Sequence, residues 1–255
     1  MSQGKVNLLP NLITAFGLFC GLFIIFKMNM IVPGEVTPQV LQLVAGIMVL
    51  AAVADVLDGA VARSMKMESD FGGWFDSLAD VITFGVSPSV IVLKTLSVPV
   101  GSEPSFWMTT AAMVYTVCGV MRLVRFNMTQ EEAQEVVTFN LLRKSFTGLP
   151  IPAAAACIVS LDLFLLSSGV GLKEQVWIHF FTMILIGYLM ISRIQFPSVK
   201  TLQIRVASFQ MLFASILVAV LIFWGLLHNF PLMFVIASWS YVLIAFVFAF
   251  AKRFY

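Results

Sequence analysis

Charge is what this sequence has least of. Only 11% of its 255 residues are Asp, Glu, Lys or Arg, against 60% that are apolar. The apolar residues gather in runs too long for a soluble core, which excludes a water-soluble globular protein and places the chain in the polytopic membrane class. Cysteine is also sparse. Cys20, Cys118 and Cys157 sit in apolar stretches with no C-x-x-C spacing, which points to buried thiols and away from disulfides or a thiolate metal site. The net charge of +2 is too small to suggest a nucleic-acid partner. The first apolar run lacks a short basic leader and a small-residue cleavage site, and further runs follow it. It is therefore expected to be a retained helix rather than a signal peptide.

The apolar runs predict an all-α integral membrane protein of about eight transmembrane helices, at about 11–31, 39–63, 72–95, 105–127, 149–167, 175–193, 206–228 and 231–250. Residues 1–10 read as a short interfacial stretch before Pro10, which suits a helix start. An even number of spans puts both termini on one side. The cations support this: Lys5, Arg63, Lys66, Arg122, Arg125, Arg143, Lys144, Arg193, Lys200, Arg205, Lys252 and Arg253 fall at one face, and Lys27, Lys94 and Lys173 at the other. The positive-inside rule then makes both termini cytoplasmic in a cell membrane. The connection 128–148, with Glu131, Glu132 and Glu135 ahead of Arg143 and Lys144, predicts a short surface helix on the cytoplasmic face. The last two spans are almost wholly apolar and rich in Phe, and read as lipid-facing or as a homodimer surface rather than a cofactor site.

Against this background, four aspartates on two consecutive spans stand out: Asp55 and Asp58 on the second, Asp76 and Asp80 on the third. An acid near the middle of a spanning helix costs about 2.5–3.5 kcal/mol on insertion scales, so four of them call for a cation or a polar cavity. Asp55 and Asp58 are i,i+3 and Asp76 and Asp80 are i,i+4, so each pair shares a helix face and two facing pairs would form a carboxylate cage. Packed carboxylates repel unless divalent ions neutralise them. All-oxygen ligation without His or Cys selects hard ions such as Mg²⁺, Mn²⁺ or Ca²⁺ over zinc. Paired ions of this kind are a recurring device of phosphoryl chemistry. Gly59 and Gly72 would let a ligand approach the backbone closely, and Arg63 offers a fork of donors to phosphate.

The string Asp55-x2-Asp58-Gly59-x2-Ala62-Arg63-x8-Gly72-x3-Asp76-x3-Asp80 resembles the complete signature of the CDP-alcohol phosphatidyltransferases, with no position departing from it. Three further stretches, Phe84-Gly85-Val86-Ser87-Pro88, Arg122-Leu123-Val124-Arg125-Phe126-Asn127 and Phe146-Thr147-Gly148-Leu149-Pro150-Ile151-Pro152, look like the phosphatidylserine synthase branch of that family. Phe196-Pro197-Ser198-x-Lys200 is similar to that branch too. The resemblance implies a six-helix catalytic core over residues 1–200, followed by a C-terminal helix pair over 201–255.

The resemblance also implies an activity: CDP-diacylglycerol, or CDP-archaeol, plus L-serine giving the phosphatidylserine and CMP, with two divalent cations, Mg²⁺ or Mn²⁺, held by Asp55, Asp58, Asp76 and Asp80. Asp80 would be the general base. Gly59, Ala62, Arg63 and Gly72 would line the nucleotide, together with Asn11 and Thr14, for which helix capping is an equally simple reading. Arg122, Arg125 and Asn127 would meet the serine carboxylate or a phosphate; for the two arginines, ordinary positive-inside anchoring weighs the same. Two alternatives stay open at this point. One is a sibling enzyme using glycerol phosphate or inositol phosphate. The other is a divalent-cation transporter, which would need acids distributed along a path across the membrane rather than gathered at one face.

Overall fold

A computed structural model describes residues 8–64, 70–135, 148–192 and 230–254 of the chain, and among these every regular element is helical. In order they are α1 (Leu8–Met30), α2 (Pro38–Ser64), α3 (Asp70–Asp80), a π-helical turn (Val81–Val86), α4 (Ser87–Leu96), α5 (Glu103–Glu135), α6 (Ile151–Ser167), α7 (Leu172–Ile191) and α8 (Phe230–Phe254). Pro10–Met30, Pro38–Ala62, Phe71–Leu96, Glu103–Met128 and Leu172–Ile191 are long and apolar enough to cross a membrane, and Ile151–Ser167 and Phe230–Ile244 are shorter apolar helices. The protein is an all-α polytopic membrane protein. The span expected at 206–228 lies outside the described residues, as do residues 1–7, the 65–69 link and the 193–200 motif.

Helix faces are sorted as lipid solvation demands. On α1, Phe16, Phe19, Phe23 and Phe26 recur on one face and are exposed, while Thr14, Cys20, Ile24 and Met28 on the other are buried. Without a hydrophobic drive between helices in lipid, association rests on close packing and interhelical hydrogen bonds. Small residues supply the first: Ala45 and Ala51 of α2 are buried, and a Cβ at Gly187 of α7 would lie 3.5 Å from Cα of Tyr115 on α5. Hydroxyls supply the second, as where Ser160 of α6 meets Ser238 of α8 at 2.7 Å between oxygens. In the half of α6 remote from the aspartates, Asp162 faces His179 of α7 at 3.2 Å, both fully buried.

Three sequence expectations are corrected. The third span is not one α-helix: it is interrupted directly after Asp80 by the π-helical turn. Pro88 explains the break, since it has no N–H to give the Phe84 carbonyl and its ring would collide with that carbonyl in an unbroken α-helix. Second, α5 does not stop near residue 127 but runs to Glu135. No Gly or Pro lies between Phe126 and Glu135, so nothing ends the helix where it leaves the apolar layer. Residues 136–147 of that connection, with Arg143 and Lys144, fall outside the described residues. Third, α1 is already helical at Leu8, the first described residue, so Pro10 lies inside the helix rather than ahead of it.

Candidate functional site

The end of the bundle that carries the aspartates is assembled from the beginnings of α1 and α3 and the ends of α2, α5 and α7. A pocket there is lined by Thr14 and Gly17 of α1, Ala51, Asp55 and Asp58 of α2, Asp76, Ala79 and Asp80 of α3, and Thr83 and Phe84 of the π turn. Carboxylate oxygens of Asp55, Asp76 and Asp80 all lie within 4.8 Å of one another, and all three residues are half-buried. Two ionised carboxylates at that distance repel by more than about 3 kcal/mol even at an effective dielectric of 20. Three therefore make a site of strongly negative potential, whose all-oxygen donor set fits a hard divalent cation.

Asp58 stands apart from that trio. It is only 5% exposed and turns toward α1, where the Thr14 hydroxyl donates to Asp58 Oδ2 at 2.6 Å. The same hydroxyl lies 3.2 Å from the Pro10 carbonyl. It has a single proton, so the shorter contact to the charged acceptor takes it. Spacing alone pairs Asp58 with Asp55; both line the pocket, and Asp58 in addition accepts the Thr14 hydroxyl from the neighbouring helix.

Asn11 lies inside α1 one turn before Thr14, so it is not the cap of that helix, and its Nδ2 is buried without a hydrogen-bond partner among the described residues. Gly59 and Ala62 follow the α2 aspartates toward the helix end, and Gly72 precedes Asp76 by one turn. None of the three lines the pocket with the acids. Arg63 is in the last turn of α2, its side chain outside the described residues. On α5, Arg122 has its Nε buried with no hydrogen-bond partner among the described residues, and its guanidinium carbon is 6.0 Å from the centroid of Phe126. Arg125 donates from Nη1 to the Ile191 carbonyl at 2.8 Å, satisfying the end of α7. Asn127 donates from Nδ2 to Ser77 Oγ at 2.9 Å, tying α5 to α3 beside Asp76.

Sequence reading missed the residues that hold this end together. Thr83 donates to the Gly17 carbonyl at 3.3 Å, drawing the π turn against α1, and the Ser87 hydroxyl lies between the carbonyls of Gly21 on α1 and Ile82 of the turn itself, at 3.2 and 3.1 Å. A Cβ at Gly21 would stand 2.8 Å from Cα of Thr83, so only glycine permits that approach. The signal was present as an i,i+4 glycine pair facing a run of hydroxyl residues, the pattern of close helix contact in membranes. Gly148 is a second such position. Its φ is +91°, and a Cβ there would strike the Met190 carbonyl. Leu149, fully buried, donates its N–H to the Leu189 carbonyl at 3.1 Å, so the non-helical approach to α6 is covered by protein, as apolar surroundings require.

Comparison with known proteins gives relatives of one name and one family. A relative from Helicobacter pylori (strain ATCC 700392 / 26695), named CDP-diacylglycerol–serine O-phosphatidyltransferase, is 31% identical over 97% of this chain and 98% of its own. One of the same name from Bacillus subtilis (strain 168) is 32% identical over 76% of this chain and 93% of its own. Another, from Mycobacterium leprae (strain TN), is 34% identical over 60% of this chain, and that match spans only 49% of the mycobacterial protein. The family description CDP-alcohol phosphatidyltransferase matches residues 7–188, from the start of α1 almost to the end of α7 and across all four aspartates. A match of that extent leaves one conclusion: the chain belongs to the CDP-alcohol phosphatidyltransferase family.

Proposed function

We propose that this chain transfers the phosphatidyl group of CDP-diacylglycerol, or CDP-archaeol, to the hydroxyl of L-serine and releases CMP. The observation that carries the reading is the convergence of Asp55, Asp76 and Asp80 from two helices onto one small volume, in a chain whose full-length relative bears the serine-specific name. The serine oxygen attacks the lipid-bound phosphorus, the bond from that phosphorus to the bridging oxygen breaks, and CMP leaves with the electron pair. Asp80 takes the serine proton. Asp55, Asp58, Asp76 and Asp80 would hold two divalent cations, Mg²⁺ or Mn²⁺. When bound, such ions offset the charge that grows on the leaving phosphate. Thr14 orients Asp58 through its hydroxyl, and Asn11, Gly59, Ala62, Arg63 and Gly72 border the nucleotide. Arg122, with a buried unmatched Nε, is the best placed of the α5 cations for the serine carboxylate or a phosphate. Arg125 and Asn127 contribute chiefly by holding α7 and α3 in place.

In this reading residues 1–200 form the catalytic core and 201–255 a C-terminal helix pair. The site opens to the cytoplasm, where CDP-linked lipid headgroups and serine are met, and both termini lie on that side. The test is an assay of purified protein with CDP-lipid and labelled serine, glycerol phosphate and inositol phosphate, run beside Asp80→Asn and Asp58→Asn. Only serine should be incorporated. Asp80→Asn should lose transfer by about 10²–10⁴-fold while still binding CDP, and Asp58→Asn should weaken CDP binding in Mg²⁺. Incorporation of another alcohol would replace the serine assignment, and loss of CDP binding in Asp80→Asn would make Asp80 chiefly a ligand.

A further inference from the structure

In an unbroken α-helix the donor to the Phe84 carbonyl is the N–H of residue 88, which is proline and has none. The chain answers by widening: the Ser87 N–H bonds to the Ile82 carbonyl, five residues back, and Val81–Val86 form a π-helical turn. The carbonyls left short are met from α5. Tyr115, fully buried, donates its hydroxyl to the Phe84 carbonyl at 2.9 Å, and Thr116 donates to the Gly85 carbonyl at 3.1 Å. Ser89 steadies Thr116 at 2.9 Å between oxygens. On the opposite side Thr83 binds α1 through the Gly17 carbonyl, and the Ser87 hydroxyl sits between the Gly21 and Ile82 carbonyls.

The turn sits between a part of the span that is locked and a part that carries chemistry. Beyond it, α4 is fixed by Ile91, Val92 and Leu96, all buried in the core. Before it, α3 ends on Asp80 with Asp76 one turn earlier. A turn closed at i+5 takes one more residue than a turn closed at i+4, and one residue is about 100° of rotation at 3.6 residues per turn. With α4 held, that rotation falls on α3. An unbroken helix would turn Asp76 and Asp80 away from Asp55, whereas here the three sets of oxygens come within 4.8 Å.

We propose that the π turn sets the rotational register of Asp76 and Asp80 against Asp55, and that Tyr115 is the positioning residue that holds it, its hydroxyl replacing the hydrogen Pro88 lacks. The inference rests on the reading of these aspartates as the cation-holding centre. It assigns a role to the Phe84–Pro88 stretch that no contact with substrate requires.

The test uses full-length protein in detergent with Tyr115→Phe, Thr116→Val and the double variant, each measured for Mn²⁺ affinity by EPR without substrate, for thermal stability and for turnover. Loss of one such hydrogen bond should weaken Mn²⁺ binding and turnover together by about 3- to 10-fold, and the double variant should lose more than either single one. Thr110→Val is the control: its hydroxyl bonds the Phe106 carbonyl of its own helix at 2.9 Å, so it should change neither. If the double variant melts lower but binds Mn²⁺ as the parent does, Tyr115 and Thr116 only stabilise the bundle and the inference is overturned. Asp55→Asn separates the two levels of argument, since Asp55 has no role as base and lies on α2, outside the rotated segment. Parent-like Mn²⁺ affinity in Asp55→Asn would overturn the cation reading itself and the register inference with it. Weakened binding there, beside parent-like binding in the double variant, would overturn the register inference alone.

Discussion

Replacing Thr14 by valine removes one oxygen and keeps the branched shape, so it isolates the hydrogen bond to Asp58. That bond is 2.6 Å long, ends on a carboxylate that is 5% exposed, and joins helices through residues 44 positions apart. A hydrogen bond to a charged group is worth about 1.5–3 kcal/mol, or roughly 10- to 150-fold in an equilibrium constant. Asp58 has further interactions besides Thr14, so the lower half of that range is expected. The loss should appear in CDP affinity, because a carboxylate released from α1 no longer presents its oxygens in one orientation. Equilibrium CDP binding to purified protein across a Mg²⁺ titration should show Thr14→Val weakened by about 10- to 40-fold, with Thr14→Ser close to the parent because it restores the hydroxyl. If Thr14→Val binds CDP as the parent does while Asp58→Asn does not, the other contacts of Asp58 suffice and the role given to Thr14 is refuted.

Gly148→Ala should lower the melting temperature by about 2–8 °C from the backbone alone, since a left-handed backbone costs a non-glycine residue about 1–2 kcal/mol and each kcal/mol is worth about 2–4 °C in a chain of this size, and by more because the added Cβ also meets the Met190 carbonyl. A parent-like melting curve would contradict the clash. Asp162→Ala should destabilise the bundle by about 3–5 kcal/mol, because His179 loses its buried partner, whereas Asp162→Leu with His179→Phe should be nearly neutral. Chemical denaturation of both proteins checks this, and equal destabilisation would show that the site tolerates no apolar replacement. For orientation, single cysteines at Ser2 and Thr129, in a background lacking Cys20, Cys118 and Cys157, should resist an impermeant thiol reagent in intact cells. Labelling at both would invert the topology argued from the lysine and arginine distribution.

The placement of the helices was legible because insertion into lipid is a local property of composition. Each described helix lies within a few residues of an apolar run, and where α5 overran its predicted end the cause was again local, the absence of a breaker before Glu135. The aspartates were legible for a related reason: acids are so costly in apolar segments that their presence and their helical spacing already indicate a shared face. Less visible was the division of labour among polar residues near the site. Arg125 and Asn127 look alike in sequence as ligands for an anion, yet Arg125 spends a donor on the end of α7 and Asn127 meets Ser77 of α3. Nothing in the residues around Arg125 announces that the carbonyl of Ile191, 66 positions away, will need a donor.

The sequence by itself determined that the chain is a helical membrane protein and that four acids, at helical spacing, lie at one end of its second and third spans. These follow from transfer energies and from a repeat of 3.6 residues, both of which act along the chain. Only the tertiary structure decided that Asp55, Asp76 and Asp80 close on one another while Asp58 turns to Thr14. It also decided that a π turn follows Asp80 with its carbonyls met from α5. Proline at 88 predicts that a carbonyl is left without its donor, but whether the helix kinks, ends or widens depends on what the neighbouring helix can offer. Here Tyr115 offers a hydroxyl at 2.9 Å, and the span continues with its acids turned toward Asp55.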